Sequence, residues 1–309
     1  MQVILGSGGA IGVELAKALP KYNSSLRLVS RNPAKVNQSD QLMSADLTIA
    51  EDVSKAVEGA DVAYLTVGLP YHTKTWQSTW PVVVDHVVKA CQLHKSKLVF
   101  FDNVYMYHPN EIGNMTENSL VDPVTKKGRV RAKIADKIMQ AAKQGDIEAL
   151  IARSADFYGP SIKDVSVVTE TMFKPLSQGK KAQCLGNVNT RHSFTYTPDA
   201  GKATAMLGNS DFAFGQVWHL PTAGEPPTLK EMIETIAAEL DVAPKYQAAN
   251  KLMVRILGLF IPIMKEFVEM MYQYDRDYIF NSDKFAQHFD LNPTPYLKGI
   301  REIIKIDYS

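Results

Sequence analysis

Val3-Ile4-Leu5-Gly6-Ser7-Gly8-Gly9-Ala10-Ile11-Gly12, running into the apolar-periodic stretch Val13 to Leu19, is the part of the chain that decides its fold. The short hydrophobic run reads as a buried strand, and the residues from Val13 onward repeat at helical spacing. Between them Gly6, Gly9 and Gly12 recur every third residue. Glycine there lets the backbone turn sharply, approach a bound group closely and seat the helix on the strand. The first amides of that helix have no intrahelical partner and converge on an anion. A glycine-rich turn alone is common. Framed by a strand and a helix at the head of an alternating pattern, it predicts a dinucleotide site formed by Gly6, Ser7, Gly8, Gly9, Ala10, Ile11 and Gly12.

The alternation continues. Strands are expected at Leu26–Val29, Asp61–Val67, Lys97–Phe101, Glu148–Ala152 and Gln216–Leu220, with a short third strand just before Asp46. Helices are expected at Asp52–Glu58, Trp76–Leu93 and Gly128–Gln144, the last stopped by Gly145. Lys97–Phe101 is nearly all apolar, as a central parallel strand should be. The fold class is therefore α/β, a doubly wound parallel sheet with a smaller, mostly helical C-terminal lobe. We expect residues 1–158 plus 191–222 to hold the dinucleotide and 159–190 plus 223–309 to form the substrate lobe, over the strand carboxyl ends where open sheets bind ligands.

Composition narrows the function. The 309 residues carry 34 Lys and Arg against 33 Asp and Glu, a formal charge of +1, which gives no electrostatic case for nucleic acid or an acidic membrane. No basic leader precedes the first strand, and Leu252–Met264, the most hydrophobic stretch, contains Arg255 and Pro262 and is too short to span a bilayer. Cys91 and Cys184 lack metal-ligand spacing and read as reduced core thiols of a cytoplasmic protein. No histidine falls in a metal-binding pattern, so no metal is expected. Asn-x-Ser/Thr triplets start at Asn23, Asn37 and Asn114 and are expected to occur by chance in such a chain.

The end of the second strand bears on which dinucleotide is bound. An acidic residue there accepts from a ribose 2′-hydroxyl, but this chain reads Ser30-Arg31-Asn32-Pro33. A guanidinium grips a 2′-phosphate through paired hydrogen bonds and stacks on adenine, with Ser30 and Lys35 in support. NADP is therefore expected over NAD. Asp46 either accepts from the adenine amino group, beside Leu47, or caps the following helix.

Taken together, the chain resembles the extended short-chain dehydrogenase/reductase superfamily, the epimerase/dehydratase-like group with its Rossmann fold. The resemblance rests on Gly6-x-x-Gly9-x-x-Gly12, Asp46-Leu47, Gly68, Phe101-Asp102-Asn103-Val104-Tyr105-Met106-Tyr107, Arg153-x-x-Asp156-Phe157-Tyr158-Gly159-Pro160 and the segment His192–Asp199. It implies that Val67, Gly68 and Leu69 pass close to the cofactor ribose, and that backbone at Ser154 and Ala155 meets the carboxamide. It also implies catalysis by a Ser/Thr, a Tyr and a Lys, in which the phenol moves a proton while hydride passes to or from nicotinamide. All three positions differ here. Asn103 replaces the Ser/Thr, and the Tyr-x-x-x-Lys window aligns on Lys127 and Arg131, or on Gly128 and Ala132 with the frame moved by one.

The chain thus resembles an atypical member whose proton source must be sought elsewhere. Asn103, Tyr105 and Lys127 are the catalytic candidates. Asn103 is also placed against the cofactor, as is Arg131 on the nicotinamide ribose. A solvated basic face is the alternative for Lys127. Asp156 is expected to pair with Arg131 or Arg153, Tyr107 to pack, Tyr158 to close a turn, His72 to lie in an exposed loop and His192 to touch substrate. The apolar residues from Met253 to Tyr272 repeat at helical spacing and are expected to be mostly core, the alternatives being a substrate pocket or a dimer contact. Two functions follow: an NADP-dependent oxidoreductase or epimerase-like enzyme on a small organic carbonyl or hydroxyl substrate, or a non-catalytic NADP-binding sensor. Homodimers are frequent in the resembled group.

Overall fold

The computed structural model describes residues 1–22, 25–162 and 165–309, so the triplet at Asn23 lies outside the described residues. The first half of the chain runs β1 (Gln2–Leu5), α1 (Ala10–Ala18), β2 (Leu26–Ser30), β3 (Gln41–Ser44), α2 (Ala50–Val57), β4 (Val62–Leu65), α3 (Thr73–His94), β5 (Lys97–Asp102), α4 (Lys126–Gln144) and β6 (Ala149–Arg153). There follow β7 (Asp156–Tyr158), α5 (Lys174–Ser177), β8 (Ala182–Leu185), β9 (Phe194–Tyr196), α6 (Thr197–Gly208), β10 (Val217–His219), α7 (Leu229–Glu239), β11 (Tyr246–Ala249), α8 (Lys251–Leu257), α9 (Pro262–Phe267), α10 (Asp283–His288) and α11 (Tyr296–Asp307).

Seven strands form one parallel sheet in the order β10-β6-β5-β4-β1-β2-β3. Its central strands β1, β4, β5 and β6 are near-continuous apolar runs because both faces are covered, whereas the edge strand β3 is largely exposed. Leu5, Leu65, Phe100 and Ile151 pack under α2, α3 and α4 on one face. Ile4, Tyr64, Val99 and Leu150 pack under α1 and α6 on the other. The α1–α6 contact is close because position 201 is Gly: a Cβ there would stand 2.6 Å from the Glu14 backbone. Direction reverses between β1 and β4, which opens a crevice at their carboxyl ends.

The C-terminal part is mainly helical, around a separate cluster that includes Phe173, Phe194, Ile233 and Ile303. It also contains two short parallel ribbons, β7 with β9 and β8 with β11. Periodicity does not indicate these, since each strand has at most four residues. Tyr158 is accordingly not a turn-closing residue: it lies in β7, fully buried among aromatic rings. Helix α4 begins at Lys126, earlier than Gly128, because the Thr125 hydroxyl caps the amide of Gly128 at 3.0 Å. Among the described residues no helix is long and apolar enough to cross a membrane. Cys91 and Cys184 are buried free thiols, both pushed up to about 12 by burial.

Candidate functional site

The loop after β1 is shaped by steric necessity. Gly6 has φ +100°, and a Cβ there would come within 2.4 Å of the Val67 Cα. At Gly12 a Cβ would stand 2.6 Å from the Gly6 carbonyl oxygen. Gly8 instead faces open space. Gly9 is the N-cap of α1 and supplies no side-chain cap, so Ala10, Ile11 and Gly12 present free amides; Val13 is the first to bond back, to the Gly9 carbonyl at 3.0 Å. The Ser7 hydroxyl is buried and has no hydrogen-bond partner among the described residues. A buried orphan hydroxyl beside free helix amides fits a pyrophosphate.

At the end of β2, Arg31 is exposed and its guanidinium makes no hydrogen bond among the described residues, while its carbonyl accepts from Ser44 Oγ at 2.9 Å. Lys35 turns away to the Gln38 carbonyl. Asp46 does not cap α2, whose N-cap is Ile49. Its Oδ1 accepts from the Thr48 amide and hydroxyl, which hold the carboxyl below its usual range. Leu47 is buried beneath it, Val67 lines Gly6, and Gly68 is open to solvent. Ser154 and Ala155 are buried, with the Ala155 amide donating to Thr195 Oγ1 and the Ser154 hydroxyl to the Ala155 carbonyl.

Beyond β5 the chain makes an Asx turn: Asn103 Oδ1 accepts from the Tyr105 amide at 3.1 Å. Tyr105 stacks on Trp76, with ring centroids 6.0 Å apart, and its phenol oxygen accepts from Tyr71 at 3.4 Å. Burial, and then the nearby Asp156 carboxylate, push the Tyr105 phenol above its ordinary value. Gly128 of α4 packs against this turn, where a Cβ would meet the Tyr105 carbonyl at 2.3 Å.

Lys127 is not on a solvated face. It is fully buried, with Nζ 2.6 Å from Glu266 and 3.1 Å from Glu269, and 4.6 Å from the Tyr71 ring centroid. Burial pushes the Glu266 carboxyl up, but Lys127 and Thr73 outweigh it and hold the group low. Arg131, one turn on, points inward. Its Nε donates to Asp102 Oδ1 at 2.7 Å, a second nitrogen pairs with the same oxygen, and the guanidinium lies over the rings of Trp80 and Phe100. Arg153 takes the other Asp102 oxygen at 3.5 Å and donates to the Tyr107 hydroxyl at 2.8 Å. Asp156 therefore pairs with neither arginine. Asp102 is fully buried between them, whereas Asp156 accepts from His192 and Tyr274 at 3.1 and 3.0 Å. His192 is itself buried and stacked flat on Tyr278. His72 is exposed but structured, capping α3.

The crevice thus gathers the glycine loop, Val67–Leu69, the Asn103–Tyr105 turn and Lys127. It also brings in Tyr71, Thr73, Asp156, His192, Glu266, Glu269 and Tyr274. Sequence reading missed most of these as a group, because their partners lie far along the chain, 34 residues for Tyr71 and Tyr105 and 139 for Lys127 and Glu266. Lys127 carried no signal of its burial, because Lys126, Arg129 and Arg131 around it make this end of α4 read as a basic face.

Several solved structures have the same fold, at identities too low to carry more than that. UDP-glucuronic acid 4-epimerase from Bacillus cereus, in complex with NAD, is 18% identical with a TM-score of 0.79, covering 99% of this chain and 98% of its own. UDP-glucose 4-epimerase from Thermus thermophilus, also an NAD complex, is 16% identical with a TM-score of 0.79, covering 99% and 98%. A dTDP-glucose 4,6-dehydratase from Streptomyces venezuelae is 12% identical with a TM-score of 0.79, covering 99% and 96%. No curated protein matches the chain. The family model described as "NAD dependent epimerase/dehydratase family" matches residues 2–216, well over half of the chain. With the glycine loop, the parallel sheet and that match in agreement, the chain belongs to the NAD dependent epimerase/dehydratase family.

Proposed function

We propose that the chain binds a pyridine dinucleotide along the carboxyl ends of the sheet and acts as an oxidoreductase or epimerase-like enzyme on a small organic carbonyl or hydroxyl substrate. The uncapped start of α1 with the orphan Ser7 hydroxyl beside it carries this reading. Ala10, Ile11 and Gly12 amides and Ser7 hold the pyrophosphate, Leu47 and the free Oδ2 of Asp46 meet the adenine, and Val67–Leu69 follow the ribose. Ser30 and the exposed Arg31 favour a 2′-phosphate, hence NADP over NAD, although all three similar structures named above are NAD complexes. When bound, the nicotinamide ring supplies hydride donation or acceptance.

This chain's own residues handle the proton. Tyr71 donates to the Tyr105 oxygen, which leaves the Tyr105 O–H directed to a substrate oxygen. With its pKa raised, Tyr105 remains protonated through neutral pH and suits the donor role rather than the base. Asn103 has its Nδ2 left to orient the same substrate oxygen, since only Oδ1 is used in the turn. Lys127 touches no phenol oxygen; it acts through the Tyr71 ring beneath it. One observation favours the second reading, a non-catalytic nucleotide-binding regulator: both Lys127 and Arg131 are neutralised by carboxylates.

Calorimetric titration with NADP and NAD tests the binding. Arg31 gripping a 2′-phosphate is worth about 2 kcal/mol, so NADP binds roughly twentyfold tighter and Arg31→Ala removes the difference. Equal affinities in the wild type defeat the NADP assignment, and no heat with either nucleotide defeats the site. NADPH oxidation over a panel of carbonyl compounds, together with product analysis for redox-neutral isomerisation of hydroxyl substrates, separates enzyme from regulator.

A further inference from the structure

The hairpin formed by α8 and α9 shows its apolar side chains to solvent, contrary to the core expected from their spacing. Leu259 and Phe260, at its turn, are 78% and 80% exposed. Leu252, Ile256, Ile261 and Ile263 are exposed around them, and in α8 only Val254 is buried. The hairpin is well tied. Phe260 and Ile261 amides both bond to the Leu257 carbonyl, and Met264 bonds to that of Ile261. Gly258 lets the second helix close in, since a Cβ there would lie 3.0 Å from the Lys265 amide. At the rear, Glu266 and Glu269 fasten it to Lys127 and Thr73.

Charge distinguishes this surface from an ordinary apolar patch. Residues 251–265 contain Lys251, Arg255 and Lys265, all exposed, and no Asp or Glu. A chain with 34 cations and 33 anions averages such a feature away. The first acids beyond it, Glu266 and Glu269, are the ones turned inward onto Lys127. An exposed apolar tip whose own segment carries only cations matches the boundary of an anionic bilayer, where apolar side chains enter the acyl region and Lys and Arg meet headgroup phosphates. We propose that the α8–α9 hairpin docks this protein peripherally on anionic lipid, with Leu259, Phe260 and Ile261 inserted and Lys251, Arg255 and Lys265 on the headgroups. The proposal is independent of the dinucleotide reading.

Co-sedimentation with vesicles of phosphatidylcholine mixed with phosphatidylglycerol, and of phosphatidylcholine alone, tests it with the full chain. Wild type pellets with the mixed vesicles, pellets less as salt rises, and stays in solution with phosphatidylcholine alone. Arg255→Ala lowers partitioning about fivefold, the worth of one surface cation. Phe260→Ser lowers it about tenfold or more, the worth of one inserted aromatic side chain. Both side chains are exposed, so the variants keep the wild-type melting temperature; if Phe260→Ser does not, Arg255→Ala alone decides. Wild type remaining in solution with both vesicle types overturns the proposal. So does partitioning that neither substitution changes. Size-exclusion chromatography without lipid that shows a dimer broken by Phe260→Ser also overturns it, assigning the surface to a second copy of the chain.

Discussion

Replacing Arg131 by Met should destabilise the fold strongly while leaving dinucleotide affinity almost unchanged in a compensated variant. Arg131 is 4% exposed and its guanidinium bonds twice to Asp102, which is itself 1% exposed. Without it, that carboxylate keeps only Arg153 at 3.5 Å and the Asn103 amide at 2.8 Å. Removing one partner of a buried pair costs about 3–5 kcal/mol, because the remaining charge is uncompensated. Loss of the contacts over Trp80 and Phe100 adds about 1 kcal/mol. For a chain of this size the melting temperature falls by on the order of 10 °C in calorimetry or dye-based melting. The triple variant Arg131→Met with Asp102→Leu and Arg153→Met removes all three charges of the buried cluster and regains most of the loss, since well-packed apolar side chains of similar volume replace buried ionic groups at little cost. If Arg131→Met melts with the wild type, the buried pair is not the source of its importance. If the triple variant is stable but binds nucleotide tenfold more weakly, the buried cluster acts on the cofactor after all.

Gly6→Ala forces a side chain at φ +100° against Val67 and is expected to abolish nucleotide binding by calorimetry while lowering the melting temperature. Tyr105→Phe lowers NADPH oxidation by about a hundredfold or more with KM little changed, as loss of a general acid does; an unchanged rate removes Tyr105 as the donor. The buried thiols Cys91 and Cys184, raised to about 12, should resist iodoacetamide in the native state and react only in denaturant, as mass spectrometry would show. Tyr71, Tyr274 and Tyr278 are raised well above 10 by burial, so the unfolded chain loses these protons first; stability is intact below pH 10 and falls above it in alkaline melting curves.

The sheet and the phosphate loop were legible because their signals are local. Val3–Leu5 and Gly6–Gly12 sit together in sequence and in space, and Gly145 stands directly after the last residue of the helix it stops. What failed depended on partners distant along the chain. Basic residues on α4 look like a solvated face until Glu266 and Asp102 arrive to bury two of them. The pairing of Asp156 was misread for the same reason, since His192 lies 36 residues away and Tyr274 farther still. The α8–α9 hairpin failed differently: helical spacing of apolar residues states that a face exists, not that anything covers it. The ribbons of β7 and β8 were too short for alternation to register.

Lys127 makes the two halves of the molecule electrically interdependent. Its counterions come from the segment around α9, 139 and 142 residues along the chain. Any motion that drew that segment away would strand a naked ammonium in the interior, so Lys127 fastens the segment in place. Acid loosens it: Glu266 keeps its charge to below the ordinary carboxylate range, and the bond survives down to that point and fails beneath it.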